Sequence, residues 1–164
     1  MSTIFKPVYS IIVSAILLTT GACNSSSHMA DNGQTAGLAI DSNKWKFTAL
    51  EVMPQYGDAR HADLNYDVNL SNTKLVVYLP YFGRADGGAN LLSDKGPLDF
   101  TSVNFSIDKH QGKKGQWEIT IKPKDYREVQ SMNFTFFPSG TANLSVSLTN
   151  RSPISFSGNV AAVK

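Results

Sequence analysis

The chain of 164 residues has a single cysteine, little charge, and no long apolar run outside its first two dozen residues. One cysteine excludes an internal disulfide framework. Charged residues make up 17% of the chain, and fifteen Lys and Arg against thirteen Asp and Glu leave a formal charge of +2. These charges are scattered, so the concentrated basic footprint that nucleic acid requires is absent and no nucleic-acid partner is expected. Low charge beside plentiful Leu, Ile, Val and Phe also excludes a mainly disordered chain. Neither glycine-rich phosphate fingerprint occurs, and no GxSxG marks a nucleophile elbow.

What the sequence does contain begins with an address. Lys6 supplies a positive start, Val8 to Leu18 is almost unbroken apolar sequence, and Thr20-Gly21-Ala22 offers small residues for cleavage. Residues 1–22 therefore read as an export signal, shorter than the ~20 apolar residues of a membrane span. The lone Cys23 follows the small residues directly, and Leu18-Thr19-Thr20-Gly21-Ala22-Cys23 resembles a bacterial lipoprotein lipobox. That resemblance implies a thioether-linked diacylglycerol on Cys23 and an acylated amine after cleavage. At ~0.8 kcal/mol per buried CH₂, two or three chains anchor a domain almost permanently. Residues 23–37, the lipidated cysteine and a small, polar stretch, read as a tether whose ~14 flexible residues span roughly 20 Å. Asn24 in place of an acidic residue favours the outer membrane, facing the periplasm. No cofactor is expected beyond the lipid.

Residues 38–164 read as one antiparallel β domain. Apolar residues recur with period two in Trp45-Phe47-Ala49, Leu64-Tyr66-Val68-Leu70 and Leu75-Val77-Leu79, the mark of half-buried strands. Ser71 to Lys74 is a short break between the second and third, which predicts a hairpin. Leu98-Phe100 and Val103-Phe105-Ile107 alternate in opposite phase, so a bulge or bend is expected at Thr101-Ser102. Trp117-Ile119-Ile121 follows a Lys109-to-Gly115 connection that reads as a mobile basic hairpin tip. Pro138-Ser139-Gly140 joins Met132-Phe134-Phe136 to Ala142-Leu144-Val146-Leu148, and Ile154-Phe156 with Val160-Ala162 forms a last strand around Gly158. Only Asp125 to Gln130 invites a short helix. About eight strands in meander-like hairpins predict an all-β sandwich or small barrel.

Chemistry is sparse. Tyr81, Phe82 and Arg84 end a strand before a glycine-rich connection, and two aromatics beside a guanidinium suit a planar or sugar-like ligand bearing carboxylate or phosphate. In the competing structural reading, Tyr81 and Phe82 plug one end of the core, Gly83 takes a positive φ and Arg84 pairs with a carboxylate. Asp58, His61, Asp63 and Asp67 could ligate a cation, but their spacing matches neither a calcium loop nor a zinc signature, so no metal is assigned. Cys23 is committed to lipid, and no other nucleophile has a base marked by sequence, so no catalytic residue is named.

Trp45-Lys46-Phe47-Thr48-Ala49 leading to Pro54, Leu79-Pro80-Tyr81-Phe82-Gly83-Arg84-Ala85, Ser139-Gly140-Thr141-Ala142 and Asn150-Arg151-Ser152-Pro153-Ile154-Ser155-Phe156-Ser157-Gly158 follow the lipobox in order. The whole resembles an uncharacterised DUF-type lipoprotein family of Bacteroides-like Gram-negative bacteria. The LPYFGRA and RSPISFSG segments carry most of the likeness. It implies a β-rich envelope domain and brings no reaction, ligand or catalytic residue. The reading that results is a non-catalytic, lipid-anchored envelope module that binds a periplasmic protein or small ligand. An envelope hydrolase and a barrel-type ligand carrier are its alternatives.

Overall fold

The computed structural model describes residues 40–62, 65–86 and 96–163. The stretches read as signal and tether, together with Cys23, Asp63, Leu64 and most of the glycine-rich connection after Asp86, lie outside them. Ten strands follow the chain: β1 (Trp45–Pro54), β2 (Arg60–His61), β3 (Asp67–Ser71), β4 (Lys74–Tyr78), β5 (Asp99–Ser102), β6 (Phe105–Gln111), β7 (Trp117–Pro123), β8 (Val129–Phe136), β9 (Thr141–Leu148) and β10 (Ile154–Ala162). They form one sheet in the order β5-β4-β3-β1-β10-β9-β8-β7-β6, with β2 added to β1. Every pairing is antiparallel. The period-two residues decide the facing, since alternate positions of β8 and β9 are buried and their neighbours are wet.

The outermost strands of that order, β5 and β6, are separated in sequence by only Val103 and Asn104. The Asp125 carboxylate holds this corner, accepting from the Val103 and Asn104 amides at 2.9 and 3.0 Å and from the Ser102 hydroxyl. The Lys124 amide adds a bond to the Asn104 carbonyl at 2.7 Å. Counted as one bent strand, β5 and β6 belong to both ends of the order. The ten strands, less β2 and less this join, then make a ring of eight that nearly closes into an up-and-down barrel. Barrel is therefore the outcome of the sandwich-or-barrel alternative. Around this ring each strand lies beside its neighbours in sequence, and the first, β1, closes the meander against the last, β10.

Side chains fill the interior. Trp45 meets Phe134 and Phe136 edge to face at 5.0 and 4.9 Å, and Phe47 meets Phe134 at 5.9 Å, contacts worth about 0.5–1.5 kcal/mol each beyond their buried area. The buried apolar residues from Ile40 to Val160 form one cluster. A domain of this size hides about two-thirds of its unfolded surface, and the described strands share this one continuous core. At the corner, Tyr126 stacks on Phe100 at 4.1 Å and donates to the Pro97 carbonyl, and burial pushes its hydroxyl pKa up to about 12.

Three expectations need correction. The bend lies at Val103-Asn104 rather than Thr101-Ser102, because that is where Asp125 satisfies two consecutive amides. Lys109 belongs to β6, its ammonium bonded to the Ile40 and Asp41 carbonyls at 2.9 and 3.3 Å, so the hairpin tip shrinks to Gly112–Gln116 around a short 3₁₀ turn. Asp125 to Gln130 is not helical. The Arg127 and Glu128 carbonyls accept instead from the Thr149 hydroxyl and amide, each at 2.9 Å, and this draws the segment into the sheet.

Candidate functional site

In a meander, successive turns alternate between two ends of the barrel. The end reached by the close of β1, the close of β4 and the start of β10 carries Tyr81, Phe82 and Arg84. Their segment is tied down by residues 150–152. Ala85 bridges Arg151, and the Asp86 amide donates to the Asn150 carbonyl at 2.8 Å. The Arg84 amide donates to the Ser152 hydroxyl at 2.8 Å, and the Ser152 amide donates to the Arg84 carbonyl at 3.0 Å. The Tyr81 hydroxyl lies 3.0 and 2.9 Å from the Arg84 and Ser152 carbonyls and 3.2 Å from the Ser152 hydroxyl. Thus the LPYFGRA and RSPISFSG segments, 66 or more residues apart in the chain, meet side by side.

Tyr81 is consequently a structural post, half-buried against the core, with the Arg151 guanidinium 5.6 Å above its ring. Gly83 has no positive φ. It is a glycine because a Cβ there would lie 2.2 Å from the Tyr81 hydroxyl oxygen and 2.6 Å from the Ser152 hydroxyl oxygen. Phe82 and Arg84, on either side, project outward from this fixed base.

Both meet a second segment, the loop after β1 with the start of β2, whose turn uses Gly57 at φ 100°. The Arg84 guanidinium lies 4.7 Å from the centre of the Tyr56 ring, and the Arg60 guanidinium lies 5.1 Å from the centre of the Phe82 ring. Each segment thus gives one cation and one ring to the other, a reciprocal clasp. It is open to water: Tyr56 is 54% exposed and Phe82 is 45% exposed. Among the described residues neither Arg60 nor Arg84 has a carboxylate within 4.0 Å. Arg84 therefore lies over a ring where an ion pair was the structural expectation, and Phe82 does not plug the core.

A guanidinium over a ring keeps its planar N–H fork for an anion, while the ring orients it and limits the entropy lost on binding. Two such forks beside two exposed ring faces can take a carboxylate or phosphate carried next to a flat apolar or sugar surface. The Asp58, His61, Asp63 and Asp67 group does not assemble this way. Asp67 pairs with Lys46 at 2.7 Å, and His61 lies opposite Glu51 in the β1–β2 ladder. Asp63 lies outside the described residues, and among those described no three His, Cys, Asp or Glu gather as metal ligands.

Sequence reasoning named Tyr81, Phe82 and Arg84 and did not name Tyr56 or Arg60, which the structure brings against the last two. Their signal was weak: an aromatic just before a glycine in a polar loop, and an arginine three residues beyond it. Nothing local announces that this loop folds onto residues 82–84.

A profile described as a domain of unknown function (DUF4251) matches residues 28–160. A crystal structure of a DUF4251 family protein from Bacteroides eggerthii DSM 20697 is similar in fold, with a TM-score of 0.60 at 15% identity over 81% of this chain and 89% of that one. No curated protein matches.

Proposed function

We propose that this chain, which belongs to the DUF4251 family, is a non-catalytic binding module held in the cell envelope by lipid on Cys23. Its binding surface is the clasp of Tyr56, Arg60, Phe82 and Arg84. The observation that carries this reading is the reciprocal pairing of two guanidiniums, neither of them with a carboxylate partner among the described residues, with two exposed rings on a hydrogen-bonded base. Exposed aromatics lower the free energy when a ligand covers them, and a desolvated guanidinium requires an anion. The ligand is an acidic group on an envelope polymer or protein. A cargo role inside the barrel has less support, because Trp45, Phe47, Phe134, Phe136 and Phe156 occupy that space.

Residues 38–164 titrated with carboxylated and phosphorylated oligosaccharides and acidic peptides, each beside its neutral counterpart, test the clasp. Binding is expected for acidic members only, weakened about tenfold or more in Arg84→Gln and in Arg60→Gln. Affinity unchanged in both variants would remove the surface from consideration. The anchor has its own check. Labelled palmitate should enter the full chain in a Gram-negative host and fail to enter Cys23→Ser, and no labelling of the wild type would overturn it.

A further inference from the structure

The opposite end of the barrel has different chemistry. It gathers the start of β1, the end of β10, the β3–β4 turn and the β6–β7 turn. Lys44, Lys74, Lys113 and Lys114 lie there, none of them in an ion pair among the described residues. Against them stand Asp41 and Glu118. The latter is already engaged by Gln116 at 3.0 Å and His110 at 2.8 Å.

Lys44 and Lys74 line a depression of about 340 Å³ whose other walls include Leu70, Val76 and Val163, with Ser71 beside them. Val163 is 40% exposed. Two ammoniums beside an aliphatic wall match an anionic amphiphile, with phosphate at the cations and hydrocarbon or glycerol at the valines.

The course of the chain points to the source of that amphiphile. The 39 residues before Ile40 join the barrel at this same end, four residues before Lys44. The Lys109 ammonium fastens the junction by bonding the Ile40 and Asp41 carbonyls. Any anchor upstream is therefore attached at this end and not at the clasp.

We propose that this basic end seats directly on anionic lipid headgroups, with Lys44 and Lys74 receiving a lipid phosphate. The barrel then stands upright on the membrane and presents the Arg60 and Arg84 clasp away from it. The seat requires neither the clasp nor lipidation, so it is testable on residues 38–164 without a tether.

Cosedimentation with vesicles of equal phosphatidylglycerol and phosphatidylcholine, at several millimolar lipid and low salt, reads the association. With about fivefold per lysine near an anionic surface, the association constant is expected on the order of 10³ M⁻¹. Lys44→Gln with Lys74→Gln should weaken it about 25-fold, while Lys122→Gln, at the other end of the barrel, leaves it unchanged. Circular dichroism confirms that all variants fold. No binding of the wild type, equal binding to pure phosphatidylcholine, or full retention by the double variant would overturn the proposal.

Discussion

Two glycines show how single residues fix this barrel. Gly83 lets Tyr81 and Ser152 close on the backbone. Gly158 does the same within the sheet, where it pairs with Ala49 beside the β1 bulge, and a Cβ there would lie 2.0 Å from the Thr48 carbonyl oxygen. The obstacle is backbone on a paired strand, so it cannot swing aside. Gly158→Ala should therefore destabilise residues 38–164 by about 2–3 kcal/mol, a thermal midpoint lower by about 10 °C. Gly140→Ala gives the contrast: open space surrounds that position and only its positive φ of 84° is offended, a cost of about 1–2 kcal/mol. Equal midpoints for wild type and Gly158→Ala would show that β1 shifts freely and that the close approach is not a constraint.

At the scale of elements, the strands were readable because burial on one face leaves a period of two in the sequence. Trp45-Phe47-Ala49 and Ala142-Leu144-Val146-Leu148 both appear as buried rows, and the Ser71 to Lys74 and Pro138 to Gly140 breaks became turns. What could not be read depends on partners distant in sequence. The corner shifted to Val103-Asn104 because of a carboxylate more than twenty residues on, and β2 exists only because Arg60 and His61 lie against Val52 and Glu51. The same reason explains the half-read site. Phe82 and Arg84 carry their chemistry in their own types, whereas Tyr56 and Arg60 acquire theirs from a loop folding across the barrel end.

For the whole molecule, closure is the property that no strand possesses alone. Paired edges run round the ring until β5 and β6, where the join depends on Asp125 and the Tyr126–Phe100 stack. The Ser102 hydroxyl first, and the Val103 amide next, hold the Asp125 carboxyl below the ordinary aspartate value of 3.8. A carboxyl whose pKa is depressed by folding stabilises the fold above its unfolded value, and that contribution is lost as pH falls through the lower, folded value. The seam should therefore be firm at neutral pH and weaken below about pH 4. Asp125→Asn, which offers an amide N–H where a donor already points, should have a lower midpoint than wild type at pH 7. The gap should narrow as both proteins are taken from pH 4 towards pH 2. Hydrogen exchange at pH 7 locates the loss: amides of Asp99–Ser102 and Phe105–Gln111 should exchange faster in the variant, while those of β9 and β10, paired on both sides, keep their protection. A gap that stays constant across the acid range, or exchange that rises equally in every strand, would mean that Asp125 supports the fold generally and does not close the ring.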